Sequence, residues 1–245
     1  MAVPGMTRAV APPRRFHRSR LIRVLEDLAV VTVADSRQPL GERLGQWLDF
    51  KDAISLYSVL HGGPSGDAGR RATAVAGLDL KHEVARVRAE LLDGILSDIQ
   101  LDPNETSASE ALGTQGRIEF TPYNRSYLSH QRSMQTAVNG LRAQLRAVAS
   151  TRSPALRRLA ALDGELEKAL GARERGLLAA LPVFLRKRFE QLFAQGAEAG
   201  DDPASRAWLP GFCREMQAVL CAELDLRLQP VFGLLNALGT DGAGQ

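Results

Sequence analysis

Residues 120–162 read FTPYNRSYLSHQRSMQTAVNGLRAQLRAVASTRSPALRRLAAL and carry the most regular amphipathic helix pattern of the chain. Within it, apolar or aromatic residues recur with heptad spacing at Tyr127, Met134, Val138, Leu141, Leu145 and Val148. Asn124 and Gln131 are polar interruptions of that seam. Thr121 and Pro122 supply a cap and a first helical residue. A seam of this kind is typical of a long helix that packs along a second helix.

Helical periodicity also extends towards the amino terminus. Ser19 is placed to cap a first short helix. From Pro39 to Gly62 the sequence predicts one helix or a broken pair, with an apolar face at Leu40, Leu44, Trp47, Leu48, Ile54, Leu56, Tyr57, Val59 and Leu60. Residues 78–100 keep an amphipathic helical spacing that Asp102 and Pro103 end.

After the central stretch, Ser153 and Pro154 restart the chain with the same cap chemistry. A leucine-rich helical pattern then runs towards residue 195, and Pro182 predicts a kink or break near Ala180 because proline removes a helical hydrogen bond. Asp202 and Pro203 are expected to cap a last region, whose apolar face continues to Pro230.

These patterns together predict an all-α protein, an elongated bundle of about six to eight helices. Its main feature is a long antiparallel hairpin over residues 122–195. The expected organisation is a disordered basic tail (1–18), a helical domain (19–238) and a frayed tail (239–245). Within the domain, N-terminal helices (19–60) precede a Gly-rich linker (61–77) and the bundle (78–238).

Basic charge is concentrated in two places. Residues 120–162 carry seven arginines and no acid, and residues 1–23 carry six arginines and no acid, although the net charge is only +3. The remainder is therefore net acidic. The basic segments are satisfied either by acidic faces of the same chain or by an anionic partner.

One flank of the predicted central helix concentrates this charge. Arg125, Arg132 and Arg146 share one heptad position, and Arg142 lies nearby. We take these four as a hypothetical surface for an acidic protein partner. The alternative is nucleic-acid binding by the same arginines. An apolar seam pairs equally well within or between chains, so homo-oligomers stay open.

No arrangement of residues in the sequence predicts catalysis. The four histidines lack metal-ligand spacing, and the glycines of residues 62–71 lack the Lys and Ser/Thr of a phosphate-binding loop. Cys213 and Cys221 would lie about 12 Å apart along one helix, too far for a disulfide. We therefore expect no catalytic, cofactor or metal site, no membrane span and a cytoplasmic location.

Four segments carry a resemblance to a known family. They are WLDFKDAISL (47–56), FTPYNRSYL (120–128), RER (173–175) and AELDLRLQP (222–230). With these, the chain resembles the proteobacterial domain-of-unknown-function family 3348 over residues 19–238. The resemblance implies a cytoplasmic bacterial protein, accessory to an envelope assembly similar to a proton channel. The function we predict is that of a non-enzymatic helical scaffold or adaptor that mediates protein–protein interaction.

Overall fold

The computed structural model describes residues 19–28, 40–62, 75–98, 119–198 and 207–243. Within these ranges the chain forms helices and no strand, which confirms the all-α prediction. The helices are α1 (Arg20–Asp27), α2 (Leu40–Trp47), α3 (Phe50–His61), α4 (Val75–Leu96), α5 (Thr121–Ser150), α6 (Pro154–Leu178), α7 (Leu181–Glu198), α8 (Leu209–Arg227) and α9 (Gln229–Ala243).

The predicted hairpin is present. Helix α5 is 30 residues long and packs against α6 along its length, in antiparallel register. The seam lies inside, because Tyr127, Met134 and Leu145 are fully buried. The chain turns at Thr151–Ser153, and the Ser153 side chain accepts a hydrogen bond from the Leu156 amide (3.3 Å) as predicted.

The break expected at Pro182 is also present. Helix α6 ends at Leu178, and α7 begins at Leu181 after the two-residue turn Ala179–Ala180. Proline at the second position of α7 needs no amide partner there. The turn lets α7 leave the line of α6 and reach α8.

Helix α8 lies at the centre of the bundle. Among the described helices it contacts α1, α4, α5, α7 and α9. Its side chains Phe212, Met216 and Leu220 are fully buried. A helix that is covered on most sides carries apolar residues around most of its circumference. Among its polar residues, Glu223 and Arg227 are also buried.

Aromatic side chains fill one end of the bundle. Phe120, Tyr123, Phe189, Trp208 and Phe212 pack with ring centroids 5.0–6.4 Å apart, mostly edge to face. This geometry is the favourable one for aromatic pairs. The cluster joins the start of α5 to α7 and to the start of α8.

Ion pairs add lateral connections between helices. Asp225 on α8 accepts from Arg20 of α1 (2.7 Å) and Arg88 of α4 (3.2 Å). Arg188 of α7 donates twice to Glu215 of α8, at 2.9 and 2.7 Å. These hydrogen bonds to Glu215 raise the pKa of Arg188.

Several boundaries differ from the prediction. Helix α5 begins at Thr121, so Phe120 and not Thr121 holds the cap position, without a side-chain hydrogen bond. Phe120 is held there by the aromatic cluster instead. Helix α4 starts at Val75 and ends at Leu96, and α9 continues to Ala243, beyond the Gly239 at which a frayed tail was expected.

The Ser19 cap and the broken helix pair are confirmed. Ser19 accepts from the Ile22 amide (3.3 Å), and α2 and α3 are separated at Leu48–Asp49. The basic tail 1–18, most of the Gly-rich linker and the Asp202–Pro203 cap lie outside the described residues.

Candidate functional site

Two of the four arginines predicted to bind a partner contact carboxylates of the same chain. Arg142 donates to Asp163 from Nε (3.3 Å) and Nη2 (2.7 Å). Arg146 donates to Asp163 (3.0 Å) and Glu167 (2.5 Å). Burial by itself would lower the pKa of Arg146, but the hydrogen bonds to Glu167 and Asp163 outweigh it and raise the pKa. We call these four side chains the hairpin ion cluster.

The other two arginines are exposed. Arg125 and Arg132 make no ion pair within the described residues, and Arg132 Nε donates only to the Leu128 carbonyl, one turn earlier (3.2 Å). The shared heptad position therefore does not give a uniform surface. Its Arg146 end faces α6, whereas its Arg125 and Arg132 end faces solvent. Partner binding through this flank stays a prediction.

A second cluster, the core polar cluster, was not predicted. The carboxylate of Glu223, which is fully buried, accepts from the Tyr127 hydroxyl (2.7 Å) and from Gln131 Nε2 (3.0 and 3.1 Å). Arg227 donates to it from Nε (2.8 Å) and from Nη2 (2.7 Å). Arg227 Nη1 also donates to the Gln135 side-chain oxygen (2.5 Å).

The core polar cluster is chemically complete. Buried carboxylates are tolerated when several donors and a cation surround them, and Glu223 has all of these. Burial, followed by the Glu223 charge and its hydrogen bond, raises the pKa of Tyr127 well above its usual value, so the hydroxyl keeps its proton. The cluster therefore joins α5 to α8 and offers no free acid or base.

The sequence did contain a signal for this cluster. Gln131 interrupts the apolar seam of α5, and Glu223 and Arg227 continue the helical face defined by Met216 and Leu220. Polar residues on two apolar faces are expected to meet when those faces pack, because an unpaired buried polar group is destabilising.

Helix α3 has its apolar residues on the wrong side for a core helix. No α3 side chain is buried, and the exposed fractions are 82% for Phe50, 53% for Ile54, 63% for Tyr57 and 54% for Leu60. At about 100° per residue these four span an arc of about 120°. The predicted apolar face of this segment is thus divided, since Leu56 and Val59 are partly covered on the side towards α6, whereas Ile54, Tyr57 and Leu60 are exposed.

We call the four exposed side chains of α3 the α3 face, and a cationic site lies close to it in the sequence. Two guanidinium groups lie over the ring of Trp47 at the end of α2, with Arg43 Cζ at 5.2 Å and Arg173 Cζ at 4.7 Å from the ring centroid. Neither arginine forms an ion pair within the described residues. Cations stacked on an aromatic ring keep most of their charge available to a partner.

The described part of the chain offers little for a metal-binding site or for a reactive thiol. No three His, Cys, Asp or Glu side chains there converge as metal ligands. Neither Cys213 nor Cys221 forms a disulfide, and burial raises the pKa of Cys221, which keeps it a poor nucleophile. Among the described helices, none is both long and apolar enough to cross a bilayer.

The fold and these sites define an all-α protein held together by interhelical polar clusters, with one apolar helix face turned to solvent. The chain belongs to the family described as Protein of unknown function (DUF3348), whose model matches residues 6–240. Comparison with curated proteins gave no match, and neither did comparison with solved structures.

Proposed function

We propose that this protein is a non-enzymatic adaptor that binds another protein through the α3 face. The observation that supports the proposal is the arrangement of α3, which exposes Phe50, Ile54, Tyr57 and Leu60 together. Contiguous exposed apolar side chains on one helix are typical of protein–protein interaction sites. Covering them would contribute on the order of 5 kcal/mol before the entropic cost of association.

The chemistry of the α3 face indicates the kind of partner. The arc carries no Asp, Glu, Lys or Arg, and the exposed His61 within it stacks on Tyr57, so the arc suits a largely apolar face of a helix or sheet. The neighbouring Arg43 and Arg173 favour acidic residues at the edge of that partner's surface. An acidic partner is favoured over a second copy of this chain, which has a net charge of +3.

The proposal includes the wider role implied by the family resemblance. In that role the partner is a component of a bacterial envelope assembly similar to a proton channel, and the adaptor is cytoplasmic. The competing role is nucleic-acid binding by exposed arginines such as Arg125 and Arg132. It predicts nuclease sensitivity and a steep loss of affinity with salt.

The test compares two variants of the full chain. Ile54→Ser with Tyr57→Ser removes the centre of the α3 face, whereas Leu177→Ser truncates an equally exposed leucine (63%) on α6. Each tagged protein is expressed in its native host, and nuclease-treated extracts are washed at elevated salt. A captured protein is then purified, and calorimetry measures its affinity for the wild type, for the double variant and for Leu177→Ser.

We expect the purified partner to bind wild type and Leu177→Ser equally and the double variant at least tenfold more weakly. Equal affinity for all three adaptors would contradict the α3 proposal. A wild-type dimer that the α3 variant alone dissociates in light scattering would identify a second copy as the occupant. Loss of capture on nuclease treatment would favour the nucleic-acid role.

A further inference from the structure

A pocket of about 300 Å³ lies between α5 and the carboxyl end of α6, and no residue of α3 lines it. Leu128 and Leu178 give it apolar walls. Arg132 and Arg175 line its exposed part, and the buried Arg227 lines its inner part. A pocket with apolar walls and a few converging polar groups is the usual form of a small ligand site.

The charge of this pocket is positive. No acidic residue lines it. Arg227 is neutralised by Glu223 behind it, while Arg132 and Arg175 have no ion-pair partner within the described residues. Two guanidiniums without a carboxylate partner beside apolar walls attract an anion and can hydrogen-bond it.

The end of α6 limits which anion fits. Leu178 is the last residue of α6, and its carbonyl already accepts from Gln131 (3.1 Å) at this pocket. A helix carboxyl end carries partial negative charge, which opposes a compact dianion more strongly than a singly charged carboxylate. Phosphate sites are instead built at helix amino termini, where amide protons point at the ligand.

We propose that this pocket binds a carboxylate carried on a short apolar chain. The carboxylate pairs with Arg132 and Arg175, and the apolar part lies against Leu128 and Leu178. The same chemistry is available from a free fatty acid of short length or from an acidic residue beside a leucine in a protein segment. The inference does not depend on the α3 face.

The experiment titrates the full-length protein with three probes: hexanoate, a capped peptide of alternating leucine and glutamate, and inorganic phosphate. Binding is followed by NMR through the arginine Nε–Hε signals. The variants are Arg132→Ala and Arg175→Ala, with Arg125→Ala as the matched control. Arg125 is exposed on the same helix flank but does not line the pocket.

We expect saturable binding of hexanoate, weakened about tenfold by Arg132→Ala and by Arg175→Ala and unchanged by Arg125→Ala. Tighter binding of the peptide would assign the carboxylate to a protein segment, and equal binding would assign it to a small acid. Phosphate binding tighter than hexanoate, no saturation, or an equal loss in Arg125→Ala would overturn the proposal. The double variant Ile54→Ser, Tyr57→Ser should bind hexanoate with the wild-type affinity. A failure of this proposal can therefore be distinguished from a failure of the adaptor proposal.

Discussion

The core polar cluster and the hairpin ion cluster both join α5 to a neighbouring helix with arginine–carboxylate pairs, yet their surroundings differ. Glu223 is completely buried, and its carboxylate is surrounded by Tyr127, Gln131 and Arg227. Asp163 and Glu167 keep 13% and 27% of their side-chain surface exposed while they bind Arg142 and Arg146.

This difference predicts how each cluster responds to the loss of a partner. In the core polar cluster Glu223 is fully buried and Arg227 is nearly so, and a deletion therefore leaves a charge that water compensates poorly. In the hairpin ion cluster water has access, and each arginine has two carboxylates within reach. Similar ion pairs should therefore contribute very different amounts to stability.

The largest effect is expected for Glu223→Ala. It leaves Arg227 buried without a counter-ion, and we expect a loss of about 3 to 5 kcal/mol in the free energy of unfolding. Urea denaturation followed by circular dichroism measures it. The double variant Glu223→Leu, Arg227→Leu should recover a large part of that loss, because it removes both charges. A single-variant loss below about 1 kcal/mol would show that the cluster is hydrated in solution.

A smaller loss, about 1 to 3 kcal/mol, is expected for Tyr127→Phe, because Glu223 loses one buried donor. The variant should also change the alkaline response. Burial raises the pKa of Tyr127, so the unfolded chain loses this proton first as the pH increases. The stabilisation is complete below about pH 10, the usual tyrosine pKa, and disappears as the pH rises through the folded value.

The alkaline prediction is checked by measuring the free energy of unfolding from pH 8 to pH 11. Wild type should lose stability above about pH 10 more steeply than Tyr127→Phe. Tyr57→Phe, at an exposed position of α3, is the control and should follow the wild-type curve. Parallel curves for wild type and Tyr127→Phe would contradict the assignment.

The smallest effect is expected in the hairpin ion cluster. Asp163→Asn weakens contacts to both Arg142 and Arg146, but Glu167 remains, so we expect a loss of about 1 to 2 kcal/mol. That loss should shrink in 1 M salt, because partly exposed charges are screened. Glu165→Gln, which breaks the exposed pair with Lys168, should change stability by at most about 0.5 kcal/mol. An Asp163→Asn loss equal to that of Glu223→Ala would remove the distinction between the clusters.

The sequence predicted the helices of the hairpin well because their signals are local. Heptad spacing in α5, the Ser153 cap and the break at Pro182 each depend on residues close together in the chain. The ends of the helices were predicted less well where contacts with other helices determine them. Phe120 holds the cap position of α5 through ring contacts with α7 and α8.

The orientation of α3 could not be read from the sequence. Periodicity shows that a helix has an apolar side, but not whether another helix covers it. Charge was ambiguous for the same reason, because Arg132 and Arg146 occupy equivalent positions and only the latter meets carboxylates of α6. The segments that carry the family resemblance do meet in space, as Trp47 with Arg173 and Tyr127 with Glu223.

The contact between Arg20 and Asp225 joins positions 205 residues apart. Helix α1 is therefore synthesised well before α8, the helix against which it packs. At about 5 to 20 residues per second, α1 waits roughly 10 to 40 s before its binding surface exists. Throughout that interval Leu21 and Leu25 lack the α8 surface that covers them in the folded protein, so α1 stays open to non-native contacts until α8 has been made.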